Sequence, residues 1–155
     1  MCKCIVADSS VFILGRRPEG DLITVPGVEA ELKDIGSRSR LSIFNTKVES
    51  PLSDALNKVL SAAKETGDIF ALSKTDLDVL AKAWEYRDRA ALASDDYAVQ
   101  NVALHLGLKV SPVAQPMIKR RLRHVRKCYA CGRTFEGEAC PDCGTALRKR
   151  ERRIR

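Results

Sequence analysis

The segment "AALASDDYAVQNVALHLGLKVSPV", residues 90–113, decides the fold. Its first residues, "AALAS" (90–94), form a short apolar run that reads as a buried strand, and "LKVSPV" (108–113) reads as another. Between them "DDYAVQNVALHLG" (95–107) opens on two acids suited to a helix N-terminus and stops at Gly107, so it reads as a helix. Strand, helix, strand is the alternation of an α/β domain, in which a mainly parallel sheet lies between helices.

The same alternation extends toward the N-terminus. "CIVA" (4–7) and "LSIFNT" (41–46), rich in β-branched or aromatic residues, read as strands. "VPGVEAELKDIG" (25–36) reads as a short helix entered at Pro26 and closed by Gly36. "SPLSDALNKVLSAAKETG" (50–67) reads as a helix with Ser50 as N-cap, Pro51 at its first position, Gly67 as its stop, and Leu56, Val59, Leu60 and Ala63 on one face. "SKTDLDVLAKAWEYRDR" (73–89) follows, where Ser73 and Asp76 make a capping box and Leu77, Leu80, Ala81 and Trp84 an apolar face.

The chain has 155 residues, enough for one domain of about 110 and a small appendage. No apolar run approaches the ~18 residues that span a bilayer, and no basic stretch precedes an apolar core at the N-terminus, so a soluble cytoplasmic protein is expected. Of six cysteines, four stand at metal-ligand spacing, which implies a reducing compartment and leaves Cys2 and Cys4 as free thiols. Residues 1–113 carry 14 Lys and Arg against 16 Asp and Glu, whereas residues 114–155 carry 13 against 4. A basic arm on a slightly acidic domain points to a polyanionic partner, nucleic acid rather than membrane, because no apolar face accompanies it.

In parallel sheets ligands bind beyond the carboxyl ends of the strands. Asp8 directly follows "CIVA", and Asp95 and Asp96 directly follow "AALAS". Asp76 in the first turn of its helix and Glu31 on the short helix can reach the same edge, with Glu29 a weaker substitute for Glu31. Carboxylates gathered there repel one another unless a cation neutralises them, and oxygen ligands suit Mg²⁺ or Mn²⁺. Such a metal can activate water and offset charge on a scissile phosphate. Each acid also has an ordinary explanation as a helix cap or a solvent-facing charge.

"CYACGRTFEGEACPDCG" (128–144) sets Cys128, Cys131, Cys140 and Cys143 as two C-x₂-C pairs, with Gly132 and Gly144 after each pair. Four thiolates suit one closed structural Zn²⁺, whose binding holds a module too small for its own core. A redox dithiol is the rival reading. The domain plan is therefore an α/β domain at 1–113, a basic linker at 114–127, a zinc ribbon at 128–144 and a basic tail at 145–155. Lys119, Arg120, Arg121, Arg123, Arg126, Lys127 and Arg133 are the candidate RNA contacts, suited to phosphate rather than to sequence, with Tyr129 able to meet a base. Histidine chemistry is not expected: His105 reads as helix packing and His124 as part of the basic run.

"IVADSSVFI", "VPGVEAEL", "LSKTDLDVLA" and "LASDDYAVQNVALHLGLKV" resemble, in order and spacing, the PIN-domain ribonucleases, and the four-cysteine ending resembles the archaeal Nin-one-binding branch of that family. The resemblance covers residues 4–113. It implies a PIN-like α/β fold and a metal-dependent endoribonuclease that trims precursor small-subunit ribosomal RNA near its 3′ end, with the small ribosomal subunit and assembly-factor proteins as partners. It also implies catalytic roles for Asp8, Glu31, Asp76, Asp95 and Asp96, with Mn²⁺ or Mg²⁺ held by Asp8, Asp76 and Asp96, although Asp95 and Asp96 compete for the inner position. Ser10 occupies the family's small hydroxyl position near the first acid. The alternative is a non-catalytic RNA-binding scaffold in which the nuclease domain is degenerate. An aspartate-nucleophile phosphotransferase is excluded by Ser10, which stands where a second Asp is needed. A dinucleotide enzyme is excluded by the absence of G-x-G-x-x-G after the first strand.

Overall fold

The computed structural model describes residues 4–135 and 138–153, without the side chains of residue 123 and of residues 149–153. Cys2 lies outside the described residues. At the centre, β1 (Cys4–Ala7) and β4 (Ala90–Ala93) run parallel, with Cys4 opposite Ala90 and Ala7 opposite Ala93. Ile5, Val6, Ala7 and all of β4 are buried, as both faces of a parallel sheet between helices must be. β2 (Asp21–Thr24) pairs outside β1, β3 (Lys47–Val48) outside β2, and β5 (Val110–Ser111) outside β4, giving the parallel order β3-β2-β1-β4-β5. The chain leaves β1 on one side toward β2 and later enters β4 on the other. Connections therefore diverge between β1 and β4, the place where such sheets open a ligand crevice.

Helix α1 (Ser9–Leu14) joins β1 to β2, and α2 (Pro26–Glu31) with α3 (Ile35–Ile43) joins β2 to β3. Helices α4 (Ser53–Thr66) and α5 (Lys74–Glu85) lead to β4, and α6 (Tyr97–His105) leads to β5. The strand expected at 41–46 is instead the end of α3 and the turn beyond it. Asp34 caps α3 by accepting from the Ser37 backbone N–H at 2.7 Å, Leu41 enters the core, and Phe44 stacks on Phe12 with centroids 6.2 Å apart. Apolar residues three apart were mistaken for a strand's run. The second strand of the sheet is "DLIT", paired between β1 and β3, with Leu22, Ile23 and Thr24 buried. The helix expected at 25–36 is broken at Leu32, so Gly36 lies in the first turn of α3 rather than closing α2. Leu52, not Ser50, occupies the cap of α4, so Pro51 precedes the helix.

The cysteine module is larger than its motif. β6 (Leu122–Cys128), β7 (Thr134–Phe135) and β8 (Leu147–Arg153) form an antiparallel sheet ordered β7-β6-β8, with Leu122 opposite Arg153 and Cys128 opposite Leu147. Half of the expected linker and most of the expected tail are thus strands of the ribbon. Charge runs suggested solvated coil, yet a ladder is held by backbone hydrogen bonds that do not need apolar side chains.

The ribbon is seated on the α/β domain through polar groups. Asn101 of α6 donates from Nδ2 to the Leu122 carbonyl at 2.7 Å and accepts from the Leu122 N–H at 2.7 Å, imitating a strand neighbour for the start of β6. The same amide donates to the buried Asp68 carboxylate at 2.6 Å, and His124 Nε2 lies 3.1 Å from that carboxylate. His124 is therefore largely buried against Asp68 rather than part of a solvated basic run. His105 pairs instead with Glu65 of α4 at 2.8 Å. Gly67, at φ +78°, lets β6 approach, since a Cβ there would lie 1.8 Å from the His124 carbonyl oxygen.

Gly67→Ala should consequently unseat β6 or distort the end of α4. A loss of roughly 1–3 kcal/mol is expected from strained backbone and overpacking. Thermal melting should fall accordingly, and protease cleavage between residues 113 and 122 should accelerate. Unchanged melting and cleavage would mean that β6 does not rest on the helix end.

Candidate active site

Three helix starts meet at the β1/β4 crevice, and each brings a carboxylate. Asp8 leaves β1 with its own N–H bound to the Ala93 carbonyl at 3.0 Å and caps α1, accepting from the Ser9 N–H at 2.7 Å. Asp96 caps α6 through Oδ1, which accepts from Ala98 N–H at 2.7 Å and Val99 N–H at 3.1 Å. Asp76 completes a capping box on α5, its Oδ2 accepting from Ser73 N–H at 2.7 Å while Ser73 Oγ accepts from Asp76 N–H at 3.1 Å. The caps are thus what aims these acids: unpaired N–H groups at a helix start orient a carboxylate through one oxygen and favour its charge.

Asp8 is the strained member. It is only 6% exposed, and burial pushes its carboxyl above the usual range, against hydrogen bonds from Ser94 and Ser9; the charges of Asp76 and Asp96 raise it further. Among the described residues no lysine or arginine forms an ion pair with Asp8, Asp76 or Asp96. Ser10 Oγ, buried in the first turn of α1, has no hydrogen-bond partner among the described residues. Crowded oxygen donors, an uncompensated buried carboxylate and an orphaned hydroxyl suit a hard divalent cation. Three ligand atoms within 4.8 Å of one another occur, among the described residues, only in the cysteine cluster of Cys128, Cys140 and Cys143, so the carboxylates stand apart rather than closed on a common point.

The other predicted acids stand elsewhere. Asp95 turns its carboxylate to the chain after β5, accepting from Val113 N–H at 2.7 Å, Ala114 N–H at 3.0 Å and Gln115 N–H at 3.2 Å, with Arg16 nearby. It anchors the connector, whereas Asp96 is the member of the pair whose charge acts on Asp8. Glu31 stands exposed at the last position of α2, whose first turn packs on α5 where Gly27 meets Thr75. A residue not singled out from sequence, Ser94, joins the site: fully buried, its Oγ donates to Asp8 Oδ2 at 2.7 Å and accepts from the Asp96 N–H at 3.2 Å. The signal available was a hydroxyl at the strand end directly before two acids. Gln100 extends this link, donating to the Ser94 carbonyl at 3.0 Å and accepting from the Ile118 N–H at 3.0 Å.

In the ribbon, Cys128 and Cys143 Sγ lie 3.5 Å apart and Cys131 and Cys140 Sγ 3.9 Å apart. A tetrahedral ion with sulfur ligands at ~2.3 Å needs sulfurs about 3.8 Å apart, so this cluster could hold a zinc ion. Each pair closes a knuckle in which Gly132 or Gly144, at φ +72° and +68°, returns its N–H to the carbonyl of Cys128 or Cys140. Of the candidate RNA contacts, Lys119, Arg120 and Arg121 are exposed, Arg126 and Lys127 are half-buried, and Arg133 pairs with Asp142 at 2.7 Å; the Arg123 side chain lies outside the described residues. Tyr129, 74% exposed, lies under the Arg148 guanidinium at 4.8 Å.

Two measurements check this site. A carboxyl whose folded value is raised costs no stability below the unfolded value, near pH 4, and costs progressively more as pH rises through the folded one. In ribbon-loaded protein without added divalent ion, Asp8→Asn should therefore melt roughly 2–4 °C above wild type at pH 7, with the gap closing toward pH 4. Added divalent ion should raise the melting temperature of wild type alone; coincident melting at both pH values would contradict the buried charge. Chelation of the ribbon metal should abolish amide protection across 122–128 and 147–153 while β1 and β4 keep theirs, and protection that survives in the ribbon would remove its need for metal.

Residues 5–86 match the family described as PIN domain of ribonuclease. The chain is 44% identical over 159 residues to "Endoribonuclease Nob1" of Pyrococcus abyssi, covering 97% of this chain and 96% of that protein. It is 38% identical over 149 residues to "Endoribonuclease Nob1" of Archaeoglobus fulgidus, covering 92% and 90% respectively. A more distant relative, "20S-pre-rRNA D-site endonuclease nob1" of Schizosaccharomyces pombe, is 38% identical over 64 residues, 40% of this chain and 16% of that protein. A parallel sheet with acids capping three helices at its switch point, a following cysteine ribbon, and these near full-length matches together place the chain in the PIN-domain ribonucleases, in the family of the archaeal endoribonuclease Nob1.

Proposed function

We propose that this chain is a divalent-metal-dependent endoribonuclease that cleaves precursor small-subunit ribosomal RNA near its 3′ end. The observation that carries the reading is the buried Asp8 carboxylate under the charges of Asp76 and Asp96, with no cationic side chain among the described residues paired to any of them. The RNA substrate is supported by family membership and by the printed name of the fission-yeast relative, a pre-rRNA endonuclease. A reducing, cytoplasmic setting suits four cysteines that stand as ligands rather than as disulfides.

Asp8, Asp76 and Asp96 would hold Mn²⁺ or Mg²⁺, and such an ion, when bound, supplies an activated water and offsets charge on the scissile phosphate. The chain's own residues set this up. Backbone N–H groups fix one oxygen of Asp76 and one of Asp96, leaving each a second oxygen for a ligand. Ser94 holds Asp8 in register with Asp96, and Ser10 offers a hydroxyl that has no partner among the described residues. Glu31 would complete the set from the neighbouring α2, and Asp95 would keep the connector in place rather than touch the metal. The ribbon would hold Zn²⁺ through Cys128, Cys131, Cys140 and Cys143, and it would present Lys127 and Arg133 to phosphates, with Lys119, Arg120, Arg121, Arg123 and Arg126 along the approach. Docking onto the small subunit and contact with assembly factors belong to this reading as well.

Asp8→Asn and Asp76→Asn should each reduce Mn²⁺-dependent cleavage of a 3′-extended small-subunit rRNA fragment by at least roughly 100-fold while leaving binding intact. Unaltered cleavage by both variants would leave only an RNA-binding scaffold. Binding affinity should fall linearly on a log–log plot against salt, with a slope close to the number of phosphates neutralised. A flat salt response would contradict docking by the basic arm.

A further inference from the structure

A second feature lies at the seam where the ribbon meets the α/β domain. The loop after Gly67 turns back on itself through a 2.8 Å hydrogen bond from Ala71 N–H to the Asp68 carbonyl. Ile69 packs against the core, whereas Phe70 projects outward and stays 58% exposed although the Arg126 guanidinium stacks 4.3 Å from its ring centroid. Across from it lies Phe135 of β7, half-buried, with the Arg133 guanidinium 5.9 Å from its ring centroid. Lys64 at the end of α4 closes one side, and the groove so formed has a volume of about 550 Å³, within the range of small-molecule sites. Among the described residues that line it there is no carboxylate. Apolar ring faces are normally covered on folding, and two of them beside Lys64 and Arg126, in a concave groove with no carboxylate among its described lining residues, match one chemistry: a flat, uncharged nucleobase attached to a negative phosphate.

We infer that this groove is a binding slot for one unstacked nucleotide of single-stranded RNA, the base lying against Phe70 and Phe135 and its phosphates meeting Lys64 and Arg126. The slot rests on the reading of RNA as substrate but is a site separate from the acidic edge. Its position gives it a use. Phe70 lies three residues before Ser73, at most about 11 Å of chain, and Ser73 holds Asp76. A strand gripped here is tethered by the same loop that positions a catalytic acid, so the slot would set which phosphate reaches the crevice. Stacking makes it tolerant of base identity and intolerant of duplex, whose bases are already stacked on one another.

The test uses the full zinc-loaded chain carrying Asp8→Asn, so that binding is read without cleavage, with fluorescence anisotropy on a short oligouridine and on a blunt RNA duplex of the same length. Adding Phe70→Ala should weaken oligouridine binding by roughly 5- to 100-fold and leave duplex affinity within about twofold. Phe70→Leu should weaken it likewise, because it keeps apolar volume without a ring face, and Phe70→Trp should restore it. Since Phe70 is exposed, the melting temperature should hold in all three and serves as the folding control. Oligouridine affinity that is unchanged in Phe70→Ala, or that falls equally with the duplex, would overturn the slot and leave a protein segment as the groove's occupant. The nuclease reading is judged separately: cleavage that survives Asp8→Asn sinks that reading whatever Phe70 does, and a Phe70 result that fails leaves the cleavage result standing.

Discussion

The structure turns on a repulsion that it does not relieve by itself. Asp8 is buried at the carboxyl end of the central strand, and Asp76 and Asp96, whose charges act on it, bear the same sign. Burying a carboxylate without a counter-charge is among the more expensive arrangements a protein can hold. It persists here because backbone geometry leaves the acids little alternative. Asp8 and Asp96 cap helices that must begin where β1 and β4 end, and Asp76 is locked into a capping box with Ser73. On the proposed reading, a divalent cation held there would relieve the repulsion, and that relief would favour its binding.

Between the acidic edge and the basic ribbon runs a short series of polar links. Ser94 joins Asp8 to Asp96, Gln100 joins Ser94 to Ile118, and the next residue, Asn101, joins Asp68 to Leu122. Adjacent side chains on one turn of α6 therefore hold both the catalytic crevice and the first residue of the ribbon sheet. Asp95 adds a third attachment at residues 113–115. A basic arm on a free tether would find RNA without aiming it. An arm whose backbone is pinned along α6 would, on the proposed reading, carry a bound strand at a set place relative to the acids, which cutting at one phosphate requires.

Much of this was legible because it depends on neighbours in the chain. Strand β4, helix α6 and its stop at Gly107, the capping box of α5 and the stop of α4 at Gly67 are local events, and the residues announce them. The two knuckles are local too, since a C-x₂-C turn followed by glycine leaves the backbone few other conformations. The failures were places where a local pattern fits two structures. "LSIFNT" suits a strand by composition, but Asp34 as cap and the contact of Phe44 with Phe12, far away in sequence, make it the end of a helix. The basic stretches at 122–128 and 147–153 look solvated until each is found to be the other's partner in a ladder.

What the sequence by itself determined is the inventory: an alternating α/β domain, acids placed directly after strands, four thiols at zinc spacing and a charge step at residue 113. What only the tertiary structure decided is which members act together. Asp95 and Asp96 are adjacent and chemically identical, yet one faces the connector and the other faces Asp8, because a single residue of turn separates a side chain aimed along the sheet edge from one aimed into the crevice. Ser94 and His124 likewise gained their partners, Asp8 and Asp68, from residues 86 and 56 positions away. Long-range pairing of this kind is set by how strands order in the sheet and how closely two backbones approach, and neither quantity is written in any local pattern of residues.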